Sequence, residues 1–269
     1  MLLIGLACLC LNESLAAQEL DLNPTRPTIS NSSGIQARGV LQVEVGHDSY
    51  PELVPGDQQT TDLSIFYAPL DRLRLDLTLP VFNYEATQKD SYKGVGTLQI
   101  GGKVILWKED YHRRAPGIAL QYEATLPTAS RQELQDKGQQ IILLLNHHYG
   151  KNGDFDVIVN GSLVQYGCTD PAGCHLGGQQ AASLSFHVTK TTRLYTEVFA
   201  QNNAQSDTPP GTYAFGGFYH RFTDHFGLDG GVRFGLSNHS ATFGPTLGVV
   251  FGKRLRREPV KADPAMRQP

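Results

Sequence analysis

Hydrophobic and polar side chains alternate along most of this chain with a period of two. The clearest stretch is 62–82, DLSIFYAPLDRLRLDLTLPVF. Leu63, Ile65, Tyr67, Leu73, Leu75, Leu77 and Leu79 fall on one face, and Asp62, Ser64, Arg72, Arg74, Asp76 and Thr78 on the other. Successive strand side chains point to opposite faces, so this is a hairpin with an apolar and a charged surface, turning at Pro69, Asp71 and Arg72. The same alternation predicts strands near 37–46, 94–107, 116–127, 141–149, 154–166, 181–188, 193–201, 212–222, 225–236 and 242–251. With the two of the hairpin this makes twelve. Residues 141–145, IILLL, are apolar on both faces, and their facing stays open.

The connections are sorted by length. From the first strand onward they run long, short, long, short, and only SNHSA is compact where a long loop is due. A soluble sandwich shows the same alternation but has no reason to sort its loops. A transmembrane barrel does, having short turns at one end, long loops at the other and an even strand number. Tyr67, Trp107, Tyr149, Phe155, Phe222 and Phe226 flank the short turns, and Phe82, Tyr84, Tyr166, Phe199 and Phe243 lie near the long loops, as two interfacial girdles would. Glycines at 101, 102, 216, 217, 230 and 231 suit the bends of a closed barrel. The fold expected is an all-β, antiparallel up-and-down transmembrane barrel of about twelve strands over 37–251.

The ends agree with export. Residues 1–17 combine an apolar run, Leu2 to Leu11, with a small-residue site before Gln18, which reads as a secretory signal peptide. Its basic head is missing, and the expectation is that the true start lies upstream; a lipoprotein reading through Ala7-Cys8 is the alternative. Residues 18–36 are polar and aperiodic and form an extended leader, hypothesised to enter the lumen and restrict it. Residues 252–269 read as a disordered basic tail. Beyond residue 17 the longest apolar run, Ile141 to Leu145, is far below the roughly 18 residues of a membrane helix. With 18% charged residues and a net charge of -3, nothing marks a nucleic-acid partner.

If the leucine rows face lipid, the opposite faces line the lumen. They carry Arg38, Arg72, Arg74, Lys103, Arg221 and Arg233 against Glu44, Asp62, Asp76, Glu123, Asp156, Glu197 and Asp229. This near balance predicts cross-strand pairs rather than a ring of one sign. Eight-stranded barrels are filled and sixteen-stranded ones open, so twelve strands leave a thin channel and a plugged lumen both open. Leu75→Arg is expected to damage assembly, and Arg74→Leu to leave the barrel folded and to alter any conductance it has.

Cys168 and Cys174, in a long loop of an oxidising compartment, are expected to form a disulfide. So small a ring contributes only about 2 kcal/mol. His147 and His148 are strand neighbours that point apart, which argues against a shared metal. Asn238-His239-Ser240 lacks a third partner for catalysis. No metal, cofactor or enzymatic site is expected.

The segment TRPTISNSSGIQARGVLQVEVG, from Thr25, resembles the opening of a family of outer-membrane barrels named after the meta-cleavage pathway of phenol degradation. Arg26-Pro27 and then Gly39, Gln42, Glu44 and Gly46 match its pattern. PLDRLRLDLTLPVF, GVGTLQIGGKVILW and PGIALQYEATLPT resemble later family strands, with Thr97 in place of Asp and Ala129 in place of Gly. The resemblance implies an outer-membrane channel for small, including aromatic, molecules. The reading is a Gram-negative outer-membrane protein with periplasmic termini. Its partners are the bilayer, the outer-membrane assembly machinery and an unidentified solute; its oligomeric state stays open. The alternatives are a sealed structural or adhesive barrel and a barrel lipid hydrolase.

Overall fold

The computed structural model describes residues 22–50, 57–86, 90–110, 114–135, 137–150, 154–168, 173–201, 211–238 and 240–255. The signal peptide expected at 1–17 and the tail from 256 on lie outside the described residues. Among the described residues the strands are β1 (Val40–Tyr50), β2 (Gln58–Leu70), β3 (Leu73–Ala86), β4 (Ser91–Gly94), β5 (Leu98–Trp107), β6 (Gly117–Leu126), β7 (Gly138–Tyr149), β8 (Phe155–Tyr166), β9 (His175–His187), β10 (Thr192–Gln201), β11 (Gly211–Thr223), β12 (Phe226–Gly235) and β13 (Phe243–Arg254). Each long strand pairs antiparallel with its chain neighbours, β5 pairs β3, and β1 pairs both β2 and β13. That last pairing closes a ring of twelve strands and leaves it no open edge. The four-residue β4 stands outside the ring, on the long-loop end of β3.

Several strands outrun the alternation that marks them. β2 and β3 continue with Gln58–Thr61 against Phe82–Glu85, and β9 begins at His175, in a stretch that reads as loop in the sequence. Past the apolar belt both faces of a strand meet water, so period-two patterning fades while backbone pairing goes on. β13 likewise reaches Arg254, so Gly252, Lys253 and Arg254 belong to the barrel and not to a disordered tail.

Leu75, Ile100, Leu120, Ile141, Leu143, Val159, Leu184 and Leu247 are exposed on the outer surface. An apolar belt of this kind is unfavourable in water and matches a hydrocarbon solvent. It also settles the facing of IILLL: Leu144 is fully buried inside, and Ile141 and Leu143 point out. At the short-turn end Tyr149 stacks on Phe155 at 5.3 Å, and Phe226 lies between Phe222 and Phe251 at 5.6 and 5.0 Å. Phe199 is a correction to the second girdle. It is 1% exposed and faces the lumen, because it shares parity with Glu197. Gly217 and Gly231, paired across β11 and β12, also have a second role, since their missing side chains make room for the Phe215 ring in the lumen.

Leu143 lies mid-strand beside Leu120 of β6, so Leu143→Arg places a charge at the centre of the belt. The expected loss is about 2–4 kcal/mol, measured as a lower denaturant midpoint in bilayers and a weaker compact band on unboiled gels. Leu75 is less sensitive than expected from sequence. It sits two residues from the start of β3 at the short turn, where the cost falls to roughly 0–1 kcal/mol.

Candidate functional site

Residues 22–36 fold into the lumen as a loop that rises from the short-turn end and returns. The rising limb runs beside β1. Asn23 N donates to Gln42 Oε1 at 3.0 Å, and Gln42 Nε2 donates back to Asn23 O at 2.9 Å. Thr25 donates to Glu44 twice, from its amide at 2.9 Å and its hydroxyl at 2.7 Å. At the top Ile29 packs on an aromatic cluster of Phe199, Tyr213, Phe215 and Tyr50, in which Phe199 stacks on Tyr213 at 4.9 Å. The amides of Ile29 and Ser30 both donate to Glu197, at 2.9 and 2.6 Å, and Ser30 Oγ donates to Ser183 Oγ at 2.7 Å. On the way down Ser33 N donates to Asn146 Oδ1 at 2.9 Å, and Lys103 Nζ donates to Ser32 O at 3.0 Å. Asn23 Nδ2 ties the two limbs together through Gly34 O at 2.7 Å.

The centre of this contact is ionic. Arg26 Nη1 donates to Asp48 at 2.7 Å, its Nε lies 3.5 Å from Asp229, and Nη2 donates to the Thr246 hydroxyl. Arg233 donates to the other oxygen of Asp48 and stands over the Tyr50 ring, 5.2 Å from its centroid. Two arginines therefore share two carboxylates, with little charge left over. Gly46 and Gly248, directly paired across β1 and β13, form the floor below. A Cβ on Gly46 would collide with the Arg26 guanidinium, and one on Gly248 would come within 2.7 Å of Arg26 Nε. Gln42, Glu44 and Gly46 of the family pattern are thus the surface on which the leader with its Arg26-Pro27 lies.

The residues expected in the lumen divide into two groups. Glu44, Arg74, Asp76, Lys103, Asp156, Glu197, Asp229 and Arg233 are buried inside the barrel. Glu123 is partly buried and accepts from Gln121 at 2.5 Å and from Gln140, and Asp62 has one oxygen buried. Arg74 is bidentate to Asp76, at 2.7 and 2.9 Å, and its guanidinium lies 4.4 Å from the Phe66 ring centroid. Arg72 is a correction: it has lumen parity but sits exposed in the β2–β3 turn, whereas Arg38, ahead of β1, is exposed at the mouth of the cavity that it lines. Arg221 is half-buried beside its turn, 4.0 Å from Asp224. Arg26 and Asp48 escaped the sequence reading. Extending the parity of Glu44 along β1 would have reached Asp48; nothing in the aperiodic leader marked Arg26.

Histidines gather at the short-turn rim. His147 Nδ1 lies 3.1 Å from Glu109, which also contacts His148, and Asp156 is 3.1 Å from both His148 Nε2 and His187 Nε2. No metal-binding group of three or more such side chains occurs among the described residues. At the other end Cys168 and Cys174 are joined as a disulfide. Ser240 Oγ donates to Thr212 O at 2.7 Å and closes a turn; His239 lies outside the described residues.

A closed ring of twelve antiparallel strands with an apolar exterior and a polar lumen is the architecture of a membrane-spanning β-barrel. The family described as "Putative MetA-pathway of phenol degradation" matches residues 25–251, and the chain belongs to it. Among solved structures, the KdgM porin in complex with disordered oligogalacturonate shares the fold with a TM-score of 0.53 at 8% identity, over 78% of this chain and 98% of that one. The NanC porin does so with a TM-score of 0.50 at 11% identity, over 78% and 98%. No curated protein sequence matches. At these identities the likeness is one of fold.

Proposed function

We propose that the protein is an outer-membrane channel for small molecules, with the short turns and both ends of the barrel on the periplasmic side. One observation carries the reading: the lumen is filled by a leader held through hydrogen bonds and ion pairs, and beside it a cavity of about 450 Å³ stays open. A barrel built only as a wall is closed by interlocking side chains, whereas polar contacts exchange readily for water. The family description makes phenolic and benzoate-like compounds the first solutes to test. The fold of the KdgM porin, solved with an anionic oligosaccharide, is compatible with charged cargo.

A sealed structural barrel is the second reading, favoured by the apolar contact of Ile29 with the aromatic cluster at the top of the leader. Proteoliposomes separate the two. Benzenesulfonate, a benzoate-shaped anion with no neutral form at neutral pH, should enter faster than into empty liposomes. Entry no faster than into empty liposomes, with folded barrel present, would establish the sealed reading.

A further inference from the structure

Four lumen side chains, one from each of β7 to β10, form a lateral row near the short-turn end. His148 pairs across to Asp156, Asp156 to Ser185, and Ser185 to Tyr195. The next row inward is Asn146, Ile158, Ser183 and Glu197, and the leader occupies it through Ser33, Ser30 and Ile29. The outer row lies below the leader and faces the 450 Å³ cavity, together with Gln36. Here hydrogen-bonding capacity is left over. Ser185 Oγ and both amide atoms of Gln36 have no hydrogen-bond partner in the chain, although both residues are only 1% exposed. Buried polar atoms are nearly always paired, with protein, water or ligand.

The rest of the cavity wall is of two kinds. Ile105 and Ile158 offer an apolar surface, and Arg38, Lys108 and Arg193 bring positive charge. Of the carboxylates on this wall, Asp156 is held by His148 and His187, Asp71 is exposed in the β2–β3 turn, and Glu109 accepts from Asn146 Nδ2 at 2.6 Å and from His148, so Glu109 does not oppose an anion with a free face.

We propose that this cavity is a binding site for small hydroxylated aromatic carboxylates. The ring lies against Ile105 and Ile158, the hydroxyls meet Ser185 and Gln36, and the carboxylate turns to the arginines and Lys108. This rests on the channel reading, for which it supplies a solute class and a station at one mouth of the path.

Three probes isolate the parts: 3,4-dihydroxybenzoate, benzoate without hydroxyls, and catechol without a carboxylate. They are titrated calorimetrically into the full chain in detergent micelles, its folding checked by gel mobility before and after boiling. Dihydroxybenzoate should bind at least tenfold more tightly than either partial probe. Ser185→Ala should narrow its advantage over benzoate. Arg38→Gln and Lys108→Gln, at exposed positions that do not support the fold, should weaken both carboxylates and leave catechol unchanged. Absent heat with all three probes, equal affinities, or affinities that ignore these variants would overturn the site. Binding without flux in proteoliposomes would remove the channel reading and keep the site; flux without binding would do the reverse.

Discussion

Deleting residues 23–34 should raise the single-channel conductance on the order of tenfold, since a twelve-stranded barrel lies between the filled eight-stranded and the open sixteen-stranded sizes. The leader passes through the lumen along β1 as far as the aromatic cluster and returns past Lys103, so its removal clears the centre of the barrel. The wall groups it leaves behind, Glu44, Glu197, Asp48, Asp229 and Lys103, then face water rather than a dry interior, and hydration replaces the lost contacts. The ring of backbone pairing does not involve the leader, so the deletion variant should keep its heat-modifiable mobility. Arg26→Ala should give a graded result, with brief openings, because it removes the contacts to Asp48, Asp229 and Thr246 but leaves Thr25 on Glu44. Conductance that does not change on deletion would show that the leader is not the obstruction.

Arg74→Leu should destabilise the barrel by about 3–5 kcal/mol, the usual cost of removing one partner of a buried ion pair. From sequence alone this substitution looks benign, since the side chain faces the lumen and not the lipid. The side chain is instead fully buried, bidentate to Asp76 and packed on Phe66. Leucine would strand the Asp76 carboxylate. The double variant Arg74→Leu, Asp76→Leu should recover most of the loss, because replacing a whole buried pair by apolar groups is often neutral. Denaturant midpoints in detergent or bilayers for the two single variants and the double variant make the cycle. A single variant as stable as the parent would mean that the lumen is hydrated at this level.

The barrel was legible because its signal is local. Period-two alternation assigns a side chain to lipid or lumen from its immediate neighbours, so Glu44, Arg74, Lys103, Glu197 and Asp229 could be placed inside one at a time. The same logic contains its own correction for Phe199, whose parity with Glu197 outweighs its position near a long loop. It fails at strand ends, where Arg72 keeps the right parity but passes beyond the wall into solvent.

The sequence by itself therefore determined a closed twelve-stranded ring with an oily exterior and a charged lumen, because both follow from the alternation and from which loops are long. Only the tertiary structure decided what fills that lumen. Arg26 meets Asp48 across 22 residues and Thr246 across 220, and Ser30 meets Ser183 across 153. Such contacts have no period and no local signature, since they depend on where the closing ring carries each wall position around a segment that is, in sequence, only polar.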